Sequence, residues 1–182
     1  YDGRWLALVL SSQDAIAPEF GISLASEAVL FNRTTGLFER LNVSSQEVPG
    51  DRESMAPTIT PDGRYVAFVS LADNLVPEDN NGKADVFVRD RLSGKTERVS
   101  LTSEGVEGEQ HSGGFFEAVQ NYGIRLGLSA DGRYVVFLTQ AVSLAGAQGS
   151  ACPVARWQEC LNVLVHDRNT GLTTLAIPPQ PN

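Results

Sequence analysis

The tripeptide Asp-Gly-Arg occurs three times in this 182-residue chain, each time followed by an aromatic residue and a run of apolar ones. The copies run Asp2-Gly3-Arg4-Trp5-Leu6-Ala7-Leu8-Val9, Asp62-Gly63-Arg64-Tyr65-Val66-Ala67-Phe68-Val69 and Asp131-Gly132-Arg133-Tyr134-Val135-Val136-Phe137-Leu138. A second block follows each: Val29-Leu30-Phe31-Asn32-Arg33-Thr34-Thr35-Gly36, then Val86-Phe87-Val88-Arg89-Asp90-Arg91-Leu92-Ser93-Gly94, then Val163-Leu164-Val165-His166-Asp167-Arg168-Asn169-Thr170-Gly171. Two blocks recurring in one order mark a repeat protein, and the repeat unit decides what the chain can fold into.

The middle copy is the cleanest. Residues 56–60 form a short extended run, and Pro61-Asp62-Gly63-Arg64 is a turn in which Asp accepts from nearby backbone N–H groups and Gly supplies positive φ. Residues 65–70 are apolar β-formers without helical periodicity, as in a strand covered on both sides. Residues 84–90 read as a third strand, and a hairpin turn leads to a fourth at 96–101, where polar and apolar residues mix as on an edge. Four antiparallel strands per repeat is the layout of one β-propeller blade. The first copy offers strands at 5–10, 27–32 and 38–43, the third at 124–129, 134–139, 161–167 and 173–177. Seventeen Gly and nine Pro at turn positions agree with an all-β chain whose helix is limited to a turn or two.

Residues 56–101 resemble the WD-like β-propeller repeat of the TolB type, found in secreted and periplasmic bacterial proteins. The matching elements are the strand Tyr65-Val66-Ala67-Phe68 after its Asp-Gly-Arg turn, the loop Asn74-Leu75-Val76-Pro77, and the hairpin from Asp85 to Gly94. The resemblance extends over essentially the whole chain and implies an architecture rather than an activity. It divides the chain into a partial blade at 1–48, a blade at 49–103 and a blade with an inserted loop at 104–182.

Closed propellers need about four to eight blades, so three are expected to be a segment of a larger propeller, or half of a ring completed by a second chain. Tyr1 stands one residue before its Asp-Gly-Arg, so the first blade is expected to lack its inner strand. A face hiding on the order of 500 Å² of apolar area contributes ~12 kcal/mol at ~25 cal/mol per Å². An uncovered end blade is therefore not expected, and further blades or a protein partner should cover both ends.

A net charge of −8 argues against nucleic acid or anionic lipid as a partner. No apolar run has the length of a membrane span. Cys152 and Cys160 fall in the insertion of the third copy, with none of the usual further ligands for a metal. The two-cysteine pattern, with the exported location that the resemblance implies, points to a disulfide closing a surface loop. The other reading is two free thiols in a cytosolic protein. Trp157 is expected to pack against that staple.

Asp79, Asn81 and Asp85 alternate around Gly82 and present oxygens as a hard cation such as Ca²⁺ requires. Lys83 interrupts the pattern and a strand follows, so the same residues also read as a polar turn. No other cofactor is expected. The link from Thr102 to Gly114 carries Glu104, Glu107, Glu109 and His111, and reads as a solvated connector or as a cation or basic-partner site. His166 occupies the position of Arg89 and is expected on the surface.

The sequence contains no nucleophile elbow, zinc-binding His pair or phosphate loop. Two functions remain. One is a non-catalytic propeller module of an exported protein that mediates protein–protein interaction or assembly. The other is the propeller part of a secreted hydrolase or lyase, lining or gating an active site formed mostly elsewhere.

Overall fold

The computed structural model describes residues 3–14, 26–113, 126–146 and 162–176. Strands β1 (Trp5–Leu10), β2 (Glu27–Asn32) and β3 (Leu37–Arg40) form the first antiparallel sheet, in the order β1-β2-β3. The central sheet is β4 (Ser54–Ile59), β5 (Tyr65–Ser70), β6 (Asp85–Asp90) and β7 (Lys95–Arg98), ordered as in the sequence. The third comprises β8 (Leu126–Leu128), β9 (Tyr134–Thr139), β10 (Asn162–Asp167) and β11 (Leu172–Leu175), again in order. Helix among the described residues is confined to one turn, α1 (Val142–Ala145). These are three blades of a propeller, and the first has no strand corresponding to β4 and β8 among the described residues.

The apolarity of β5 follows from its place between two cores. Val66 and Phe68 point toward the first sheet, into a core with Ala28, Leu30, Leu41 and Phe87. Ala67, on the opposite side of the strand, joins Val86, Val88, Val135, Phe137 and Leu164 in the core shared with the third sheet. The side chains of Val66, Ala67, Phe68 and Val69 are all fully buried. A strand so placed cannot alternate apolar with polar residues, since both of its sides face protein.

Strands β1, β2, β5 and β9 run as the sequence predicts, but the last strand of each blade is shorter. The reason is visible after β7. Val99 N still donates to Val86 O, but the next rung uses a side chain, with Val86 N donating to Ser100 Oγ at 3.0 Å. The backbone thus leaves the ladder at Arg98. In β4 the register shifts between Met55 and Thr58, where Ala56 adopts a φ of 51°, a bulge in the inner strand.

Candidate functional site

The Asp-Gly-Arg turns of the second and third blades are built alike. In the central blade Thr60 N donates to Tyr65 O, Gly63 turns at a φ of 76°, and Asp62 Oδ1 accepts from Arg64 N at 3.0 Å. The third blade repeats this with Ser129, Gly132 and Asp131. The Arg then straps the blade edge. Arg64 donates to both oxygens of Asp90 at 3.0 and 2.8 Å, and Arg133 does so to Asp167 at 2.9 and 2.7 Å. These bidentate pairs, together with backbone donors from the hairpin turn, hold both aspartates well below the usual carboxylate range.

The next arginine in the sequence joins neighbouring blades. Arg91, at the end of β6, donates Nε to Glu39 Oε1 of the first blade at 2.8 Å and places its guanidinium carbon 4.0 Å from the Trp5 ring centroid. It also donates to the Gly63 carbonyl of its own blade. Arg168 repeats each contact one blade on: Glu97 Oε1 at 2.6 Å, the Tyr65 ring at 4.5 Å and the Gly132 carbonyl. A Cβ on Gly63 would lie 2.6 Å from Trp5, and one on Gly132 would lie 2.2 Å from Tyr65. The turn of each later blade thus rests directly on the aromatic residue of the blade before it. This interblade clamp escapes a reading of any single copy, because its arginine lies 52 or 71 residues from its carboxylate partner and farther still from its ring. The signal was the threefold Arg33, Arg91, Arg168 taken with Glu39 and Glu97.

The carboxylates offered as calcium ligands meet a guanidinium. Arg98 Nη1 lies 2.8 Å from Asp79 Oδ1, 3.6 Å from Asp85 Oδ2 and 3.1 Å from Glu107 Oε2, with its side chain only 7% exposed. Asn81 is drawn into the same group, donating Nδ2 to Asp85 Oδ2 at 2.9 Å and to Gly108 O at 3.1 Å. Asp85 also accepts from Ser100 Oγ. Asp79 Oδ1 is paired in charge but lacks an aligned hydrogen bond, and burial pushes its carboxyl up to about 7 against the opposing pull of Arg98. Burial likewise raises Asp85, with its two donors pulling the other way. A cavity of about 690 Å³ opens beside Arg98, bounded by Pro77, Glu78, Val106 and Glu107. Among the described residues no cluster of three or more His, Cys, Asp or Glu is arranged to hold a metal ion.

The link between the second and third blades is tethered rather than freely solvated through its described part. Glu107 bonds Arg98 and Asn80 N, and Glu109 Oε1 accepts from Val142 N at 2.7 Å at the start of α1. His111 Nδ1 accepts from Ala84 N at 2.8 Å, and burial lowers its pKa to about 4. His166, expected on the surface, is buried, and its Nδ1 lies 2.9 Å from Thr173 Oγ1. Cys152, Cys160 and Trp157 lie outside the described residues.

No protein-family model and no curated protein matches the sequence. Solved structures do. TolB from Acinetobacter baumannii aligns with 99% of this chain and 31% of its own, at a TM-score of 0.51 and 18% identity. A protein from Agrobacterium tumefaciens assigned as TolB aligns with 97% of this chain and 46% of its own, at a TM-score of 0.51 and 14% identity. This chain has the fold of a TolB-like β-propeller segment. It spans less than half the length of either relative. Within the TolB-like segment the repeated turn, strap and clamp residues serve the blades, and part of the Arg98 group recurs in the first blade, where Arg40 and Glu27 take the places of Arg98 and Asp85 and pair at 2.7 Å. No helix among the described residues is long and apolar enough to cross a membrane.

Proposed function

We propose that this chain is a non-catalytic interaction module of an exported bacterial propeller protein, with blades at 1–48, 49–103 and 104–182, and that its outer faces hold further protein. One observation carries the reading. Every residue of β6 is buried, whereas the outward sides of the outer sheets leave Leu6 and Tyr134 40 and 39% exposed. An apolar sheet face of this kind costs free energy in water unless covered. A photo-crosslinking residue placed at Leu6 or at Val136 of the native protein in the cell should yield protein adducts. The same group at Leu92, 78% exposed on a hairpin turn, should yield none. Adducts from neither face would overturn the reading. The exported location carries its own requirement, that Cys152 and Cys160 be joined. Thiol titration of the unreduced, denatured protein should find no free thiol, and two free thiols would place the chain in a reducing compartment.

A further inference from the structure

The cavity of about 690 Å³ beside Arg98 lies at the edge of the central sheet away from its inner strand, between the β5–β6 loop, β7 and the link to the third blade. The first and third sheets pack on the two faces of the central one, and further blades of a ring pack on faces in the same way. The cavity opens instead on the rim, which a neighbouring blade does not cover. Its wall has two characters. Pro77, Leu101 and Val106 supply apolar surface, and Val106 is 58% exposed. Glu78 and Glu107 supply carboxylates.

The charge on this wall is unbalanced. Glu97 is matched by Lys95 at 2.5 Å and Arg168 at 2.6 Å. Arg98 stands against Asp79, Asp85 and Glu107 at once, and Glu78 adds a fourth carboxyl group that has no partner among the described residues. Glu78 holds a φ of 61°, a left-handed conformation that is unfavourable for a residue with a Cβ. In that conformation its carbonyl accepts from Arg98 Nη2 at 3.0 Å while its side chain stays exposed. A second need is also unmet. Arg98 lines the cavity with its side chain 7% exposed, and its Nε has no acceptor among the described residues. Buried donors left in this state are rare in folded proteins. A cation on an apolar stem, carried by a main chain with its own carbonyls, answers both needs. We infer that the cavity takes a lysine or arginine from an extended segment of a partner protein. The stem lies against Pro77 and Val106, the charge meets Glu78 and Glu107, and a main-chain carbonyl of the segment accepts from Arg98 Nε.

This shares with the interaction reading only that the partner is protein. The outer sheet faces play no part in it, so crosslinking at Leu6 and Val136 succeeds or fails independently. The native protein is to be probed with an array of immobilised pentapeptides of random sequence. Bound peptides should be enriched in Lys or Arg, and their binding should weaken with added salt. The diamine 1,5-diaminopentane has the stem and cation of lysine but no carbonyl. It should compete only at far higher concentration than a soluble copy of the strongest peptide. Glu78→Gln should weaken that peptide about two- to fivefold, the range of an exposed ion pair, and Glu78→Lys should remove the preference for basic residues. The Glu78 side chain is exposed, so neither substitution endangers folding. No basic enrichment, or an enrichment that Glu78→Lys leaves intact, would overturn the inference. Competition by the diamine equal to that of the peptide would also overturn it, and would assign the cavity to a small amine.

Discussion

Arg98 sets one positive charge against Asp79, Asp85 and Glu107 in a place largely closed to water. Burial makes the Asp79 carboxyl a weaker acid, with Arg98 opposing it. Its folded pKa of about 7 lies above the ordinary carboxylate value. The folded state therefore binds the proton more tightly than the unfolded chain, and this contribution to stability is full in acid and lost as pH rises through about 7. His111 runs the other way. Its folded pKa of about 4 lies below its ordinary value, because burial and Lys83 disfavour the imidazolium. Its contribution is full above the ordinary histidine range and lost as pH falls through about 4. Replacing Asp79 with Asn removes the first dependence alone. The melting temperature of Asp79→Asn relative to the parent should thus move in the variant's favour as pH rises through 7, and a difference constant with pH would show that Asp79 is ionised throughout. The same geometry bears on calcium. With a guanidinium between Asp79 and Asp85, added Ca²⁺ should leave the melting temperature unchanged. A rise that disappears in Asp79→Ala would show instead that these carboxylates take the ion.

Between residue and molecule stands the blade, whose unit of construction is a turn resting on a ring. Gly132 and Gly171 both have positive φ, at 71 and 75°, but a Cβ at Gly132 meets the Tyr65 ring whereas one at Gly171 meets nothing within 4 Å. Alanine at either position incurs the left-handed penalty of about 1–2 kcal/mol. Gly132→Ala must also displace Tyr65 from the interblade contact, adding about 1–3 kcal/mol of overpacking. Denaturant unfolding should separate the two variants by that increment, and equal losses would mean that the turn does not press on the ring. Much at this scale was legible in the sequence. Asp-Gly-Arg announces its turn because the chemistry is local, and the strand after it is apolar because both sides are covered. The clamp was not legible within a copy, since Arg91 reads as an ordinary hairpin residue until Trp5 and Glu39 are brought to it by another blade. The link's Glu and His residues look solvated in sequence, but Glu107 pairs with Arg98 nine residues before it, and Glu109 and His111 find partners 33 and 27 residues away in Val142 and Ala84. Asp79, Asn81 and Asp85 lie close in the sequence, but the arginine that pairs with both aspartates comes from the following strand and is invisible to a reading of the loop alone.

Across the whole molecule, burial falls away from the centre. Val66, Phe68, Val86, Phe87 and Val88 of the central sheet are completely buried, each side of the sheet covered by a neighbour. The first and third sheets have one neighbour each among the described residues, and their remaining sides show Leu6 at 40% and Tyr134 at 39% exposure. Local opening draws on the free energy of the contacts broken, so a sheet packed on one side opens at lower cost than one packed on two. Amide exchange in the dilute chain should therefore be slowest in β5 and β6 and faster in β1, β2, β9 and β10. Within a blade the hydrogen-bonded ladders are alike, so the difference between sheets isolates the contribution of packing between them. Protein bound over the outer faces should raise protection in the outer strands and leave β5 and β6 nearly unchanged. Equal protection in all three sheets of the dilute chain would mean that the outer faces bear no deficit, and the case for a covering protein would fall with it.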